Sequence, residues 1–197
     1  MNYVELSIKN VEDKCNELYE NIKKEYDYDL VIFIARGSYI IGKCLADLNN
    51  APLLEIYATR KGGKLKKLIK PLFRFVPKKI LIKLRSKEMN STFHEKNEDR
   101  RVSFNEMIYS KHTDARKILI VDDSIDSGNS IKLTKSAISD YFKNSEVKVA
   151  VFNVMSKATI NADYNLYQDM MICGPWSNDS KECNKHLKMY EEWKKSE

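Results

Sequence analysis

Apolar residues recur at spacings of three and four near residues 4–25, placing Val4, Ile8, Val11, Cys15, Leu18 and Ile22 on one side of an amphipathic helix. The next stretch, DLVIFIARGS, is different: a continuous apolar run closed by a turn containing glycine. Such a run predicts a strand buried on both faces, as in a parallel sheet. YIIGKCLADLNN then predicts a helix closed by an asparagine pair, and APLLEIYATR predicts a second strand. Farther on, RRVSFNEMIY has strand propensity and ARKILIVDD is another buried strand. SGNSIKLTKSAISDYFKN opens as a polar turn and continues as a helix, EVKVAVFNVM returns to strand, and MMIC is a short apolar run. CNKHLKMYEEWKKSE closes the chain as a helix. Alternating strands and helices predict an α/β fold, with a five-stranded, mainly parallel sheet flanked by helices.

Length adds that this is one domain, residues 1–197, large enough to bury a core without disulfide staples. With 43% hydrophobic and 31% charged residues, the composition excludes a disordered chain and a collagen-like one. No apolar run approaches the roughly 20 residues of a spanning helix, and the N-terminal residues carry no apolar signal region. Cys15, Cys44, Cys173 and Cys183 lack metal-ligand spacing and read as reduced thiols, so a cytoplasmic protein is expected.

Charge changes the picture more than composition does. The net charge is +6, yet Arg60 to Lys87 holds twelve Lys/Arg and no acid, so the remaining 22 basic residues are outnumbered by 28 acidic ones. An acidic body carries one basic insertion, about residues 61–100.

The candidate chemistry lies in ILIVDDSIDSGNSI, residues 118–131. A buried strand ends in Asp122 and Asp123, Asp126 follows, and Ser127, Gly128, Asn129 and Ser130 open a helix. Ligands of open α/β sheets bind beyond the carboxyl ends of strands. A turn of small residues at a helix N-terminus offers N–H groups, hydroxyls and a positive dipole end to a phosphate. Carboxylates just before it suit sugar hydroxyls or Mg²⁺. The bland alternative is an ordinary helix cap at Asp126 or Ser127.

VDDSIDSGNS resembles the phosphoribosyl-diphosphate (PRPP) signature of type I phosphoribosyltransferases, with serines where threonines are commoner. The resemblance implies an enzyme that moves 5-phosphoribosyl from PRPP to an acceptor and releases diphosphate, with Mg²⁺ as cofactor. Asp122 and Asp123 would hold the ribose hydroxyls directly or through the metal. Asp126 would accept the acceptor's proton, and Asp126 with Ser127, Gly128, Asn129 and Ser130 would surround the 5′-phosphate. Upstream, Ala35-Arg36-Gly37-Ser38 ends the first predicted strand, where the family places the loop whose amides receive diphosphate. Alone, that string fits any strand–helix turn. Arg60 and Lys61 are further diphosphate candidates, and as readily a solvated basic turn.

The stretch from Ala150 to Asn178 is similar to the acceptor end of xanthine–guanine type enzymes. Lys157 would bond a purine oxygen and Trp176 closes a Pro-Trp pair, while Met171 stands where a base-stacking aromatic is expected. Lys157 reads equally as a surface lysine, and Trp176 as a core or lid aromatic. The acceptor is therefore left open between a purine base and a sugar hydroxyl of a membrane-associated, lipid-linked glycan. A non-catalytic PRPP or nucleotide sensor on the same fold is the alternative. Residues 64–85 interleave lysines with Leu, Ile and Phe, a pattern expected on an anionic membrane surface, at the inner face of the membrane. The same segment reads also as a helical cover or a homodimer contact. Nucleic acid is disfavoured as a partner, because apolar side chains outnumber hydrogen-bonding ones there.

Overall fold

The computed structural model describes residues 2–60 and 100–196. Lys61, the segment 64–85 and nearly all of the expected insertion lie outside the described residues. The elements, in chain order, are β1 (Asn2–Glu5), α1 (Ile8–Ile22), β2 (Leu30–Ala35), α2 (Tyr39–Leu48), β3 (Leu53–Arg60), β4 (Arg100–Ser103) and α3 (Glu106–Tyr109). They continue with β5 (Lys117–Ile125), α4 (Asn129–Ile138), β6 (Glu146–Val154), β7 (Tyr164–Gln168), β8 (Met170–Cys173) and α5 (Cys183–Ser196).

Six strands form the main sheet in the order β4-β3-β2-β5-β6-β7, and a separate parallel pair joins β1 to β8. The main sheet holds the five strands read from the sequence, β4 among them antiparallel on one edge, and adds β7, which no sequence pattern marked, in parallel on the other. Alternation along the central strands builds two cores. Val31 and Phe33 of β2, Leu119 and Val121 of β5, and Ala150 and Phe152 of β6 pack with α1 and α2. Ile32 and Ile34, Ile118 and Ile120, and Val149 and Val151 pack on the opposite face with α4. Both faces are covered, which is why these strands read as continuous apolar runs.

Two element boundaries differ from the expected ones. The first helix starts later than its periodicity suggested: Val4 belongs to β1, and Ser7 caps α1 by accepting the Asn10 N–H at 3.1 Å. RRVSFNEMIY is strand only over Arg100–Ser103; Asn105 then accepts the Met107 N–H at 3.1 Å and opens α3.

From β2 the chain runs outward to β3, and β5 returns to the other side of β2. The carboxyl ends of β2 and β5 therefore diverge from a topological switch point, where open α/β sheets form their crevices. Ser38 fixes that point. Its buried hydroxyl donates to the Ile34 carbonyl at 2.6 Å and faces the Val121 carbonyl at 3.1 Å, tying the two strand ends together. We expect Ser38→Ala to cost about 1–3 kcal/mol in urea unfolding, the range for leaving buried carbonyls unsatisfied. A change below a few tenths would mean that water replaces the hydroxyl.

Candidate functional site

At the switch point lies a cleft of about 240 Å³, floored by Asp122, Asp123 and Ser124. Asp126, Ser127, Gly128, Asn129 and Ser130 form one wall, and Ala35, Gly37 and Ala58 the other. Sequence reasoning brought the carboxylates, the small-residue turn and the β2 loop to one place, and the structure does the same. The point a Cβ would occupy on Gly37 is 3.5 Å from the Asp123 carboxylate, so the β2 loop runs directly over the acidic pair. The Ala35–Arg36 peptide is cis.

Asp122 and Asp123 are half-buried at the end of β5. Burial first, then the neighbouring Asp123 charge, holds Asp122 well above the usual carboxylate range. Asp123 is pushed up to about 6, mainly by burial, with Asp126 adding to the rise and a hydrogen bond from Asp122 opposing it. Burial and mutual repulsion thus raise the proton affinity of the pair as a whole. The Asp122 Oδ1 also accepts the Asp123 N–H at 2.9 Å. Asp126, by contrast, is exposed at the cleft mouth.

Neither Asp126 nor Ser127 caps α4. The cap is Gly128, at φ +87°, and it makes no side-chain bond. A Cβ there would fall 2.4 Å from Ile160 Cγ1. Gly128 thus meets two demands that other residues fail: a left-handed backbone, and contact with the loop after β6. Gly128→Ala should lose about 2–4 kcal/mol, from left-handed strain plus overpacking. Thermal unfolding would read this out; an unshifted transition would mean that the Ile160 loop swings aside freely.

The loop after β6 is clasped to the turn. Thr159 donates its N–H (3.3 Å) and its hydroxyl (2.9 Å) to the Ser127 carbonyl, and Lys132 Nζ donates to Thr159 Oγ1 at 2.9 Å. No sequence signal marked Thr159 or Lys132, because the contact joins loops 32 residues apart.

The remaining candidates lie away from the cleft lining. Arg36 is exposed on the β2 loop, and Ser38 Oγ is committed to strand carbonyls, so what Ser38 can offer a ligand is its backbone. Arg60 ends β3, paired in register with Arg100. Lys157 is exposed on the loop after β6. Met171 is buried in β8, opposite Tyr3 of β1. Trp176 stands edge-on to Phe152 with ring centroids 6.3 Å apart, as a packing aromatic. No aromatic side chain lines the cleft among the described residues.

No protein-family model matches the sequence, and no curated protein does. Solved structures are similar across nearly the whole chain. A purine phosphoribosyltransferase from Pyrococcus horikoshii is 19% identical with a TM-score of 0.61, covering 90% of this chain and 95% of its own. The xanthine-guanine-hypoxanthine phosphoribosyltransferase of Helicobacter pylori is 15% identical, also at 0.61, covering 95% and 99%. A hypothetical protein from Neisseria gonorrhoeae with bound ppGpp is 17% identical at 0.61, covering 96% of each chain. At these identities what is shared is the fold, that of type I phosphoribosyltransferases. Among the described residues, no helix is long and apolar enough to cross a membrane.

Proposed function

We propose that the protein is a Mg²⁺-dependent phosphoribosyltransferase that moves 5-phosphoribosyl from PRPP to a purine base and releases diphosphate. The observation that carries this reading is the cleft itself. A carboxylate pair, an anion-ready turn at the start of α4 and the β2 loop converge there within one small volume. The names of the Pyrococcus and Helicobacter proteins favour a purine acceptor.

Each group has a role set by its chemistry. Asp122 and Asp123 accept hydrogen bonds from the ribose 2′- and 3′-hydroxyls. Backbone N–H groups and hydroxyls of Ser127 to Ser130 take the 5′-phosphate at the positive end of α4. As the bond from C1 to diphosphate breaks through an oxocarbenium-like state, amides of the Arg36–Ser38 loop receive the leaving oxygens. The acceptor nitrogen attacks C1, and its proton passes to a carboxylate oxygen of Asp126. Single-domain organisation, with the basic insertion between β3 and β4, belongs to the same reading.

The acidic pair fits a magnesium ion. Two half-buried carboxylates with raised proton affinity are hard oxygen donors whose mutual repulsion a dication relieves. Asp122 and Asp123 would hold it, and it would supply charge neutralisation of the diphosphate.

A sugar-hydroxyl acceptor on a lipid-linked glycan is the second reading, favoured by the cleft's lack of a stacking aromatic and by the basic apolar residues 64–85. Diphosphate release from PRPP, measured with a panel of purines and with a glycolipid extract, separates the readings. Release with a purine is expected; release only with the extract selects the glycan. PRPP binding without release makes the protein a sensor. Co-sedimentation with acidic vesicles, weakening as salt rises, would support membrane docking for residues 64–85.

A further inference from the structure

One buried polar side chain has no place in the chemistry above. His186 lies on α5, only 1% exposed, and neither ring nitrogen has a hydrogen-bond partner among the described residues. An imidazole without partners in an apolar setting is costly, so such groups call for an explanation. Its surroundings are fixed. The ring packs beside Tyr39, the first residue of α2, with centroids 6.2 Å apart. α5 is anchored to β3 through Tyr190 and Lys194, which both bond the Glu55 carboxylate, the latter at 3.0 Å. Tyr39 in turn donates its N–H to the Arg36 carbonyl, which places the Arg36 backbone beside the ring. Burial lowers the proton affinity of His186, the Arg36 backbone opposes this and the Arg36 charge lowers it further; a neutral imidazole carries one N–H.

The Arg36 carbonyl already accepts the Tyr39 N–H at 3.3 Å, a long bond that leaves a second lone pair. Carbonyl and N–H point opposite ways across a planar trans peptide. Whatever holds the Arg36 carbonyl inward therefore turns the Gly37 N–H outward, toward the cleft that Gly37 lines. We propose that His186 is a positioning residue: its ring N–H closes onto the Arg36 carbonyl when an anion occupies the cleft, fixing the Gly37 amide toward the leaving diphosphate. This rests on the reading of the β2 loop as the diphosphate site, and it names the group outside the cleft that sets the loop's geometry.

The test uses the full-length protein, with inorganic diphosphate and ribose 5-phosphate as separate probes in calorimetry. His186→Phe keeps a ring and removes the donor; His186→Asn and His186→Gln restore a donor at the reach of one or the other ring nitrogen. Loss of one buried hydrogen bond predicts diphosphate binding about tenfold weaker in His186→Phe. Ribose 5-phosphate binding should be unchanged. kcat/KM for PRPP should fall by at least a similar factor, because the amide also meets charge that develops as diphosphate leaves. One of the two amide variants should return to within about threefold of wild type. In the wild type itself, the His186 ring N–H should exchange more slowly with solvent once diphosphate is added, a measurement that needs no variant to fold. Equal diphosphate affinity in wild type and His186→Phe, failure of both amide variants to restore it, or a ring whose exchange ignores diphosphate would each overturn the assignment. A wild type that binds neither probe would overturn the phosphoribosyltransferase reading along with it.

Discussion

Replacing Asp122 and Asp123 together by asparagine is expected to lower PRPP consumption by about 10³-fold or more, and at the same time to stabilise the fold at neutral pH. The loss follows from the cleft, where both carboxylates stand on the floor and no other pair is available among the lining residues to hold ribose hydroxyls or a metal. Removing a single preorganised electrostatic contact typically costs about 10²–10³ in rate. The gain in stability follows from their proton affinity. Asp123 is raised from the ordinary carboxylate value to about 6, and Asp122 is raised as well. Between about pH 4 and pH 6 the folded protein thus binds more protons at this pair than the unfolded chain, so stability falls as pH rises through that window. Asparagine does not titrate and keeps the shape. At pH 7 the double variant should be more stable by about 1–2 kcal/mol, a figure already discounted for the water that reaches the half-buried pair. Diphosphate release, together with thermal unfolding at pH 4 and pH 7, checks both halves. Wild-type turnover in the variant would remove the acidic pair from the chemistry, and a destabilised variant at pH 7 would mean that the carboxylates hold structural bonds instead.

Asp126→Asn should lower turnover by about 10²–10⁴ while PRPP affinity stays within a few-fold, as expected for loss of a general base. The residue is exposed at the mouth of the cleft, beyond the end of β5, and it does not cap α4. Neutralising it leaves the turn intact and removes the proton acceptor. It also relieves Asp123 of one neighbouring charge, so the titration of the acidic pair should move down in the variant. Single-turnover rates and equilibrium PRPP binding, measured side by side, distinguish the roles. A variant that binds PRPP poorly and turns over normally once saturated would reassign Asp126 to phosphate binding.

The grouping of the cleft residues was legible because its signals are local. β5 announces itself by four consecutive apolar residues, and its terminal carboxylates and the Ser-Gly-Asn-Ser turn are contiguous with it. The placement of Met171 and Trp176 was not, because it depends on contacts between distant segments. Met171 looked like a substitute for a stacking ring; its burial comes from pairing β8 with β1, which no local pattern encodes. β7 went unseen as a strand because YNLYQ is only half-buried, and its exposed residues, Asn165 and Gln168, do not alternate strictly. His186 shares the buried side of α5 with Tyr190 at helical spacing. That spacing shows that the side chain faces inward, and gives no hint that it faces the Arg36 loop. Among the β-strand errors, Val4 was drawn into the α1 pattern because a four-residue strand followed at once by a capped helix offers no break in spacing.

The parallel pairing of β1 with β8 sets an order of events during synthesis on the ribosome. Asn2 pairs with Met170, and Leu6 donates to the Cys173 carbonyl at 3.0 Å. β1 therefore waits until residues 170–173 are made before its partner exists, whereas β2, β3 and β5 can assemble as they emerge. Such distant pairing is slow, and its unmatched edge is open to wrong neighbours in the meantime. A nascent chain stalled before residue 170 should carry the main sheet with β1 still unpaired, and limited proteolysis of that stalled chain should cut first in residues 2–6.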